Sequence, residues 1–206
     1  MTILPTQLQL WEAARAVITS LQGIPELHQA KVTIIGGVAL QNHLPNRVTS
    51  DVDILIFDGD DPICTRAIRA GLVSLIPRNF EERAQPIYFT GNPDNLIQVD
   101  IIPPDLPPYL PADVATLGEV DPKHLPFLAP LDLLVYKIHC CSMRPSHRKR
   151  TQDAKDAHEL VNILSRQGAI ALNDSQEQAV LSGLDGMVEY SGETREWWES
   201  ALGLSG

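Results

Sequence analysis

Seven residues, DVDILIF at 51–57, constrain the fold of this chain more than any other stretch. On a strand, side chains alternate, so Asp51 and Asp53 project together while Val52, Ile54 and Ile56 fall on the opposite face. The apolar set demands a core. The two carboxylates, about 7 Å apart along the strand, repel each other unless solvent or a cation lies between them. Upstream, KVTII (31–35) is a β-branched strand that breaks at Gly36-Gly37, and VALQNHL (38–44) reads as a short helix stopping near Pro45. Strand, glycine turn, helix and charged strand therefore follow one another within thirty residues.

The remaining elements fit around this unit. Thr6 caps a helix through Leu21, ended by Gly23 and Pro25. DGDDP (58–62) reads as a turn and cap, and ICTRAIRAGLVSLIP (63–77) has helical periodicity. PIYFT (86–90), the turn GNPDN (91–95) and LIQVDII (96–102) read as a β-hairpin. Prolines cluster between 103 and 130 and mark a stiff, extended crossing segment. PLDLLVYKIHCCSM (130–143) is a helix with Pro in its first turn, followed by a basic loop. Helices follow over TQDAKDAHELVNILSRQG (closed by Gly168), from Asp174 or Ser175, and over GETREWWESALGL. The fold class expected is α/β (α+β): a small mixed β-sheet with flanking helices, then a C-terminal α-helical region. The domain reading is an α/β core over 1–110 and the crossing segment with the helical region over 111–206.

Composition narrows the function. With 206 residues, 44% hydrophobic and 20% charged, the chain can bury a real core. Its formal net charge of -10 repels a phosphate backbone, which argues against an extended nucleic-acid surface. The basic residues Arg144, His147, Arg148, Lys149 and Arg150 are concentrated in one stretch, which suits either a solvated loop or contact with an acceptor or triphosphate. Three cysteines, two of them adjacent (Cys140, Cys141), give neither a disulfide framework nor a CxxC pair, and indicate free thiols in a reducing cytosol. The first residues have neither a basic lead nor a long apolar core, and no apolar run approaches membrane length. A cytoplasmic protein with no membrane partner is expected. His43, His124 and His139 lack metal-ligand spacing, and of the adjacent Trp197 and Trp198 only one can face a core squarely.

Candidate chemistry gathers around the aspartates. Asp51 and Asp53 are hard oxygen ligands suited to Mg²⁺ or Mn²⁺, although a lone DxD more often marks solvated aspartates at the start of a strand. Asp100 is the single charge in the apolar strand LIQVDII, where an isolated carboxylate needs a metal, a basic partner or solvent access. If that strand lies beside 51–57, Asp100 completes a three-carboxylate cluster. Gly36 and Gly37 let a backbone approach a phosphate closely, although strand-to-helix turns often need glycine for geometry alone. Lys137 lies on a mostly apolar helix, and Asp153 and Asp156 share a helix face.

Gly-Gly, thirteen intervening residues and Asp51-Val52-Asp53 resemble the shared motif of the nucleotidyltransferase superfamily that includes DNA polymerase β, with Asp100 matching its third carboxylate. The longer string GGVAL…RVTSDVDILI is most similar to the abortive-infection (AbiEii-type) toxins and their minimal nucleotidyltransferase relatives, with Arg47, Thr49, Asp51 and Asp53 at the matching positions. Lys137, and Asp153 with Asp156, match a nucleotide-contacting lysine and the aspartates of an Arg-Asp-x-x-Asp-like helix start, although the arginine-to-aspartate spacing is stretched here. The match covers about residues 30–166; the last forty residues match nothing.

The resemblance implies a Mg²⁺- or Mn²⁺-dependent enzyme that transfers a nucleoside monophosphate from a nucleoside triphosphate to a hydroxyl and releases pyrophosphate. Asp51, Asp53 and Asp100 would be the metal-binding and catalytic residues. Gly36, Gly37, Arg47, Thr49, Ser50, Lys137, Asp153 and Asp156 would form the nucleotide site, with ATP among the triphosphates. The acceptor is open among a small molecule, a protein side chain and an RNA end such as that of tRNA. The other reading is a catalytically silent nucleotide-binding or antitoxin-like interaction module that keeps the fold.

Overall fold

The first helix, α1 (Gln7–Gln22), starts on a capping box: the Thr6 hydroxyl accepts from the Gln9 backbone N–H, and the Gln9 side chain accepts from the Thr6 N–H. Leu10, Ala13, Ala14, Val17, Ile18 and Leu21 recur at helical spacing and form its buried stripe. The structure, a computed structural model, describes residues 4–59, 65–75, 79–82, 87–91 and 96–204. Residues 60–62 of the DGDDP turn, positions 63, 64, 76 and 77 of the helix expected over 63–77, and residues 92–95 of the GNPDN turn lie outside the described residues.

The chain divides into two units, Met1–Leu106 with Ala112–Leu128, and Pro107–Pro111 with Ala129–Gly206. In the first unit, α1 is followed by β1 (Lys31–Ile35), α2 (Gly36–Gln41), β2 (Asp51–Phe57), α3 (Thr65–Leu75), β3 (Phe80–Glu82), β4 (Ile87–Phe89) and β5 (Ile97–Ile102). These strands form a five-stranded mixed sheet in the order β1-β2-β5-β4-β3. Only β2 and β5 run parallel; the other neighbouring pairs are antiparallel. Parallel neighbours need a crossover rather than a hairpin, and the chain between β2 and β5 supplies it with α3, β3 and β4. Strand β3 is a short edge strand whose FEE sequence carries too little alternation to announce itself.

One face of the sheet is almost wholly buried, with Val52, Ile54 and Ile56 of β2 beside Val99 and Ile101 of β5. Helix α1 packs on β2 and β5, and α3 packs on β3 and β5. The opposite face is buried at Thr33, Leu55 and Phe57 but only partly covered at Asp51, Asp53, Gln98 and Asp100. The proline-rich stretch forms neither helix nor strand, and its second part returns along the open edge of β1. There Ala115 and Pro126 carbonyls accept from the Val32 and Ile34 N–H groups, and Leu128 N–H donates to the Ile34 carbonyl. An edge strand that would otherwise expose its backbone is thereby satisfied.

The second unit is helical: α4 (Pro130–Met143), α5 (His147–Ser165), α6 (Asp174–Ser191) and α7 (Arg195–Leu202). Pro130 opens α4, and Asn173 closes a capping box with Gln176 at the start of α6. Gly183 and Gly186 let α6 lie directly on α4. A Cβ at Gly183 would stand 2.3 Å from the Ile138 carbonyl oxygen, and one at Gly186 would stand 2.9 Å from Ser142 Cα. Residues 107–111 are fastened to this unit: Tyr109 Oη and Gln176 Nε2 both donate to Asp132 Oδ1, and Tyr136 Oη donates to the Tyr109 carbonyl. Burial raises both phenols well above the ordinary tyrosine range, and the Asp132 charge adds to this. Trp198 is fully buried with its indole N–H on Ser191 Oγ, while half-buried Trp197 stacks on His158.

Helix α5 begins earlier than the basic composition of 147–150 suggests, directly after Pro145 with Ser146 at the N-cap position. Arg150 stabilises this start by donating from Nε to the Arg144 carbonyl and lying over the Tyr190 ring. Among the described residues, no helix is long and apolar enough to cross a membrane.

Lys137 of α4 is 8% exposed, and its Nζ reaches Asp153 Oδ1 at 2.5 Å and Asp156 Oδ2 at 3.1 Å on α5. Arg144 Nε donates to Asp153 Oδ2 and Gln152 Nε2 to Asp156 Oδ1, so every carboxylate oxygen has a donor and two cations balance two anions. Such a network is tolerable in a core only while complete. Lys137→Met should cost about 3–5 kcal/mol, because it removes the buried cation that Asp153 and Asp156 share. Urea denaturation of the variant and the wild type measures this difference.

Candidate metal centre

The parallel register of β2 and β5 sets Asp53 directly beside Asp100, and Asp51 beside Gln98. All four side chains share the partly open face, because each pair within a strand is two residues apart. Neighbouring strands lie about 4.8 Å apart, so the register alone draws the carboxylates together. Asp51, Asp53 and Asp100 each offer one oxygen within 4.8 Å of the others, and this is the one such group of potential metal ligands among the described residues.

Local contacts fix each carboxylate. Thr49, two residues before β2 on the same face as Asp51, donates from Oγ1 to Asp51 Oδ1 at 2.6 Å. Gln98 donates from Nε2 to Asp100 Oδ2 at 2.8 Å. Asp53 leans on the start of α2: a Cβ on Gly36 would fall 2.0 Å from Asp53 Oδ2, and Gly36 itself has φ +66. Both facts restrict that position to glycine. A Cβ on Gly37 would fall 2.2 Å from Thr49 Oγ1 and 2.5 Å from Thr49 Cβ. The two glycines therefore make room for Asp53 and for the residue that holds Asp51. The sequence offered phosphate approach or turn geometry as their reason; the packing adds a third.

The structure thus brings Gly36, Gly37, Thr49, Asp51, Asp53 and Asp100 into one cluster. Arg47 and exposed Ser50 lie in the loop that leads into β2. Arg47 Nη1 donates to the Val48 carbonyl, and the Arg47 carbonyl accepts from Gln41 Nε2 at 2.9 Å, which pins the loop to α2. Lys137, Asp153 and Asp156 are brought together with one another in the second unit, where they form the buried network described above. Gln98 escaped the sequence reading. Its signal was its place two residues before Asp100 on the same strand face.

The three histidines without metal-ligand spacing have other surroundings. His139 Nδ1 is 2.8 Å from Ser182 Oγ and His124 Nδ1 is 3.0 Å from Asp121 Oδ2. Desolvation lowers the pKa of both His43 and His139 below the ordinary histidine value. An all-oxygen, all-carboxylate set such as Asp51, Asp53 and Asp100 fits a hard divalent cation and suits neither copper nor a structural zinc.

No protein-family model matches the chain, and no curated protein matches it in sequence. Among solved structures, it is similar to an antigenic nucleotidyltransferase-like protein from Paracoccidioides brasiliensis, at 20% identity and a TM-score of 0.60, over 93% of each chain. Five mixed strands with flanking helices, followed by a helical region, are thus the nucleotidyltransferase-like fold, and the acidic cluster on β2 and β5 lies within it.

Proposed function

We propose that the chain is a metal-dependent nucleotidyltransferase that moves a nucleoside monophosphate from a nucleoside triphosphate to a hydroxyl-bearing acceptor. The observation that carries this reading is the gathering of Asp51, Asp53 and Asp100 within 4.8 Å on a partly open sheet face. Three carboxylates gain nothing from one another at that distance, and a divalent cation turns the repulsion into binding. A bound Mg²⁺ or Mn²⁺ would neutralise charge on the triphosphate.

The chain's own residues take the remaining roles. Asp51 and Asp53 would hold the ion, and Asp100 would stand with them beside the attacking hydroxyl. In the reaction the acceptor hydroxyl releases its proton to solvent, its oxygen bonds to the α-phosphorus, the bond from that phosphorus to the bridging oxygen breaks, and pyrophosphate leaves. Gly36 and Gly37 leave the start of α2 without side chains, which suits close approach of phosphates. Arg47, Thr49 and Ser50 belong to the loop beside them. Lys137 gives two of its three N–H donors to Asp153 and Asp156, and the third is what a nucleotide-binding role would use. The acceptor belongs to the same classes as the sequence left open: a small molecule, a protein side chain or an RNA end.

Mg²⁺ together with ATP should raise the melting temperature by roughly 5 °C at saturating ligand, and Asp53→Asn should abolish the Mg²⁺-dependent part. Equal shifts with and without Mg²⁺ in differential scanning calorimetry would overturn the reading. Gly36→Ala should also abolish the Mg²⁺-dependent shift, because its methyl group takes the place of Asp53 Oδ2. Transfer of label from α-³²P nucleotides to components of a cell extract, lost in Asp100→Asn, tests turnover itself.

A further inference from the structure

The carboxylates of the cluster are not held alike on their two oxygens. Asp51 Oδ1 accepts the Thr49 hydroxyl at 2.6 Å, and Asp100 Oδ2 accepts the Gln98 amide at 2.8 Å. The remaining oxygens of these two residues are Asp51 Oδ2 and Asp100 Oδ1. Asp53 Oδ2 is wedged against Gly36, where a methyl group would stand. In Asp51 and Asp100 one oxygen is bonded to a neighbouring donor, which opposes the rotation needed for both oxygens to face one ion.

Such restraint acts differently on different cations. Mg²⁺ and Mn²⁺ take six ligands in near-octahedral geometry and are served by one oxygen from each carboxylate plus water or phosphate. Ca²⁺ takes six to eight oxygens at longer distances, and commonly uses a carboxylate through both oxygens. We propose that Thr49 and Gln98 are positioning residues that hold Asp51 and Asp100 in a one-oxygen presentation, and so make the cluster discriminate small octahedral divalent ions from Ca²⁺. The inference rests on the metal-dependent reading proposed above. It assigns to Thr49 a bond to a metal ligand in place of direct nucleotide contact, and gives a role to Gln98.

Neighbouring structure supports the assignment. Gln98 sits in register between Asp51 on β2 and Tyr88 on β4, so its backbone is fixed on both sides and its amide has a defined reach. Thr49 is fixed by its packing over Gly37. Both donors are therefore placed by strand pairing or by packing without any ion, which is what selection by geometry requires.

The test is calorimetric titration of the full chain with Mn²⁺ and, separately, Ca²⁺, without nucleotide. Wild type should bind Mn²⁺ more tightly than Ca²⁺. Gln98→Leu and Thr49→Val, the latter keeping the shape packed over Gly37, should each weaken Mn²⁺ binding about tenfold or more and Ca²⁺ binding by less than about threefold. The two variants report independently, so loss of folding in one leaves the other decisive, and an ion-free melting temperature identifies such a loss. Folded variants that weaken both ions equally, or leave the Mn²⁺/Ca²⁺ ratio unchanged, overturn the inference. A wild-type chain that binds neither ion overturns the metal-dependent reading itself, which is a separate result.

Discussion

Mutual repulsion among three carboxylates is the constraint on which the first unit is built. The sheet imposes it by pairing β2 with β5 in parallel, which sets Asp53 beside Asp100 and which no hairpin can do, and the chain uses α3, β3 and β4 to make the crossover. The buried face of the same two strands holds them in place through Val52, Ile54, Val99 and Ile101. Burial on one side thus provides the stability that crowding of charge on the other side opposes. Gly36 and Gly37 follow from the same demand, because any side chain there would displace Asp53 or Thr49. A loop, two glycines and a strand register thus all shape one cluster of charge.

Much of this was legible in the sequence. The alternation of DVDILIF placed Asp51 and Asp53 on one face, and the lone charge in LIQVDII marked Asp100 before any pairing was known. The Thr6 cap, the β-branched KVTII and the Pro130 helix start were equally plain, because each rests on local chemistry. Tertiary contacts were harder to foresee. Neither the pairing of β2 with β5 nor the return of residues 112–128 to the edge of β1 follows from local pattern. Strand β3 is three residues long, too short for periodicity to show. Gln98 is an ordinary polar residue in sequence and gains its meaning only from the 2.8 Å bond to Asp100.

The helical unit shows how one residue pattern can serve two ends. Lys137, Asp153 and Asp156 resemble nucleotide-site residues in sequence, and they form a buried network between α4 and α5 in which every carboxylate oxygen has a donor. Gly183 and Gly186 complete that packing by bringing α6 against the backbone of α4.

Anomalous scattering from crystals grown with Mn²⁺ tests the central claim most directly, because it locates the ion without relying on activity. The account predicts an anomalous peak bounded by Asp51, Asp53 and Asp100, with each aspartate contributing one oxygen ligand. A structure in which the ion lies elsewhere, or in which the three carboxylates remain clustered with no ion among them at saturating Mn²⁺, would contradict it.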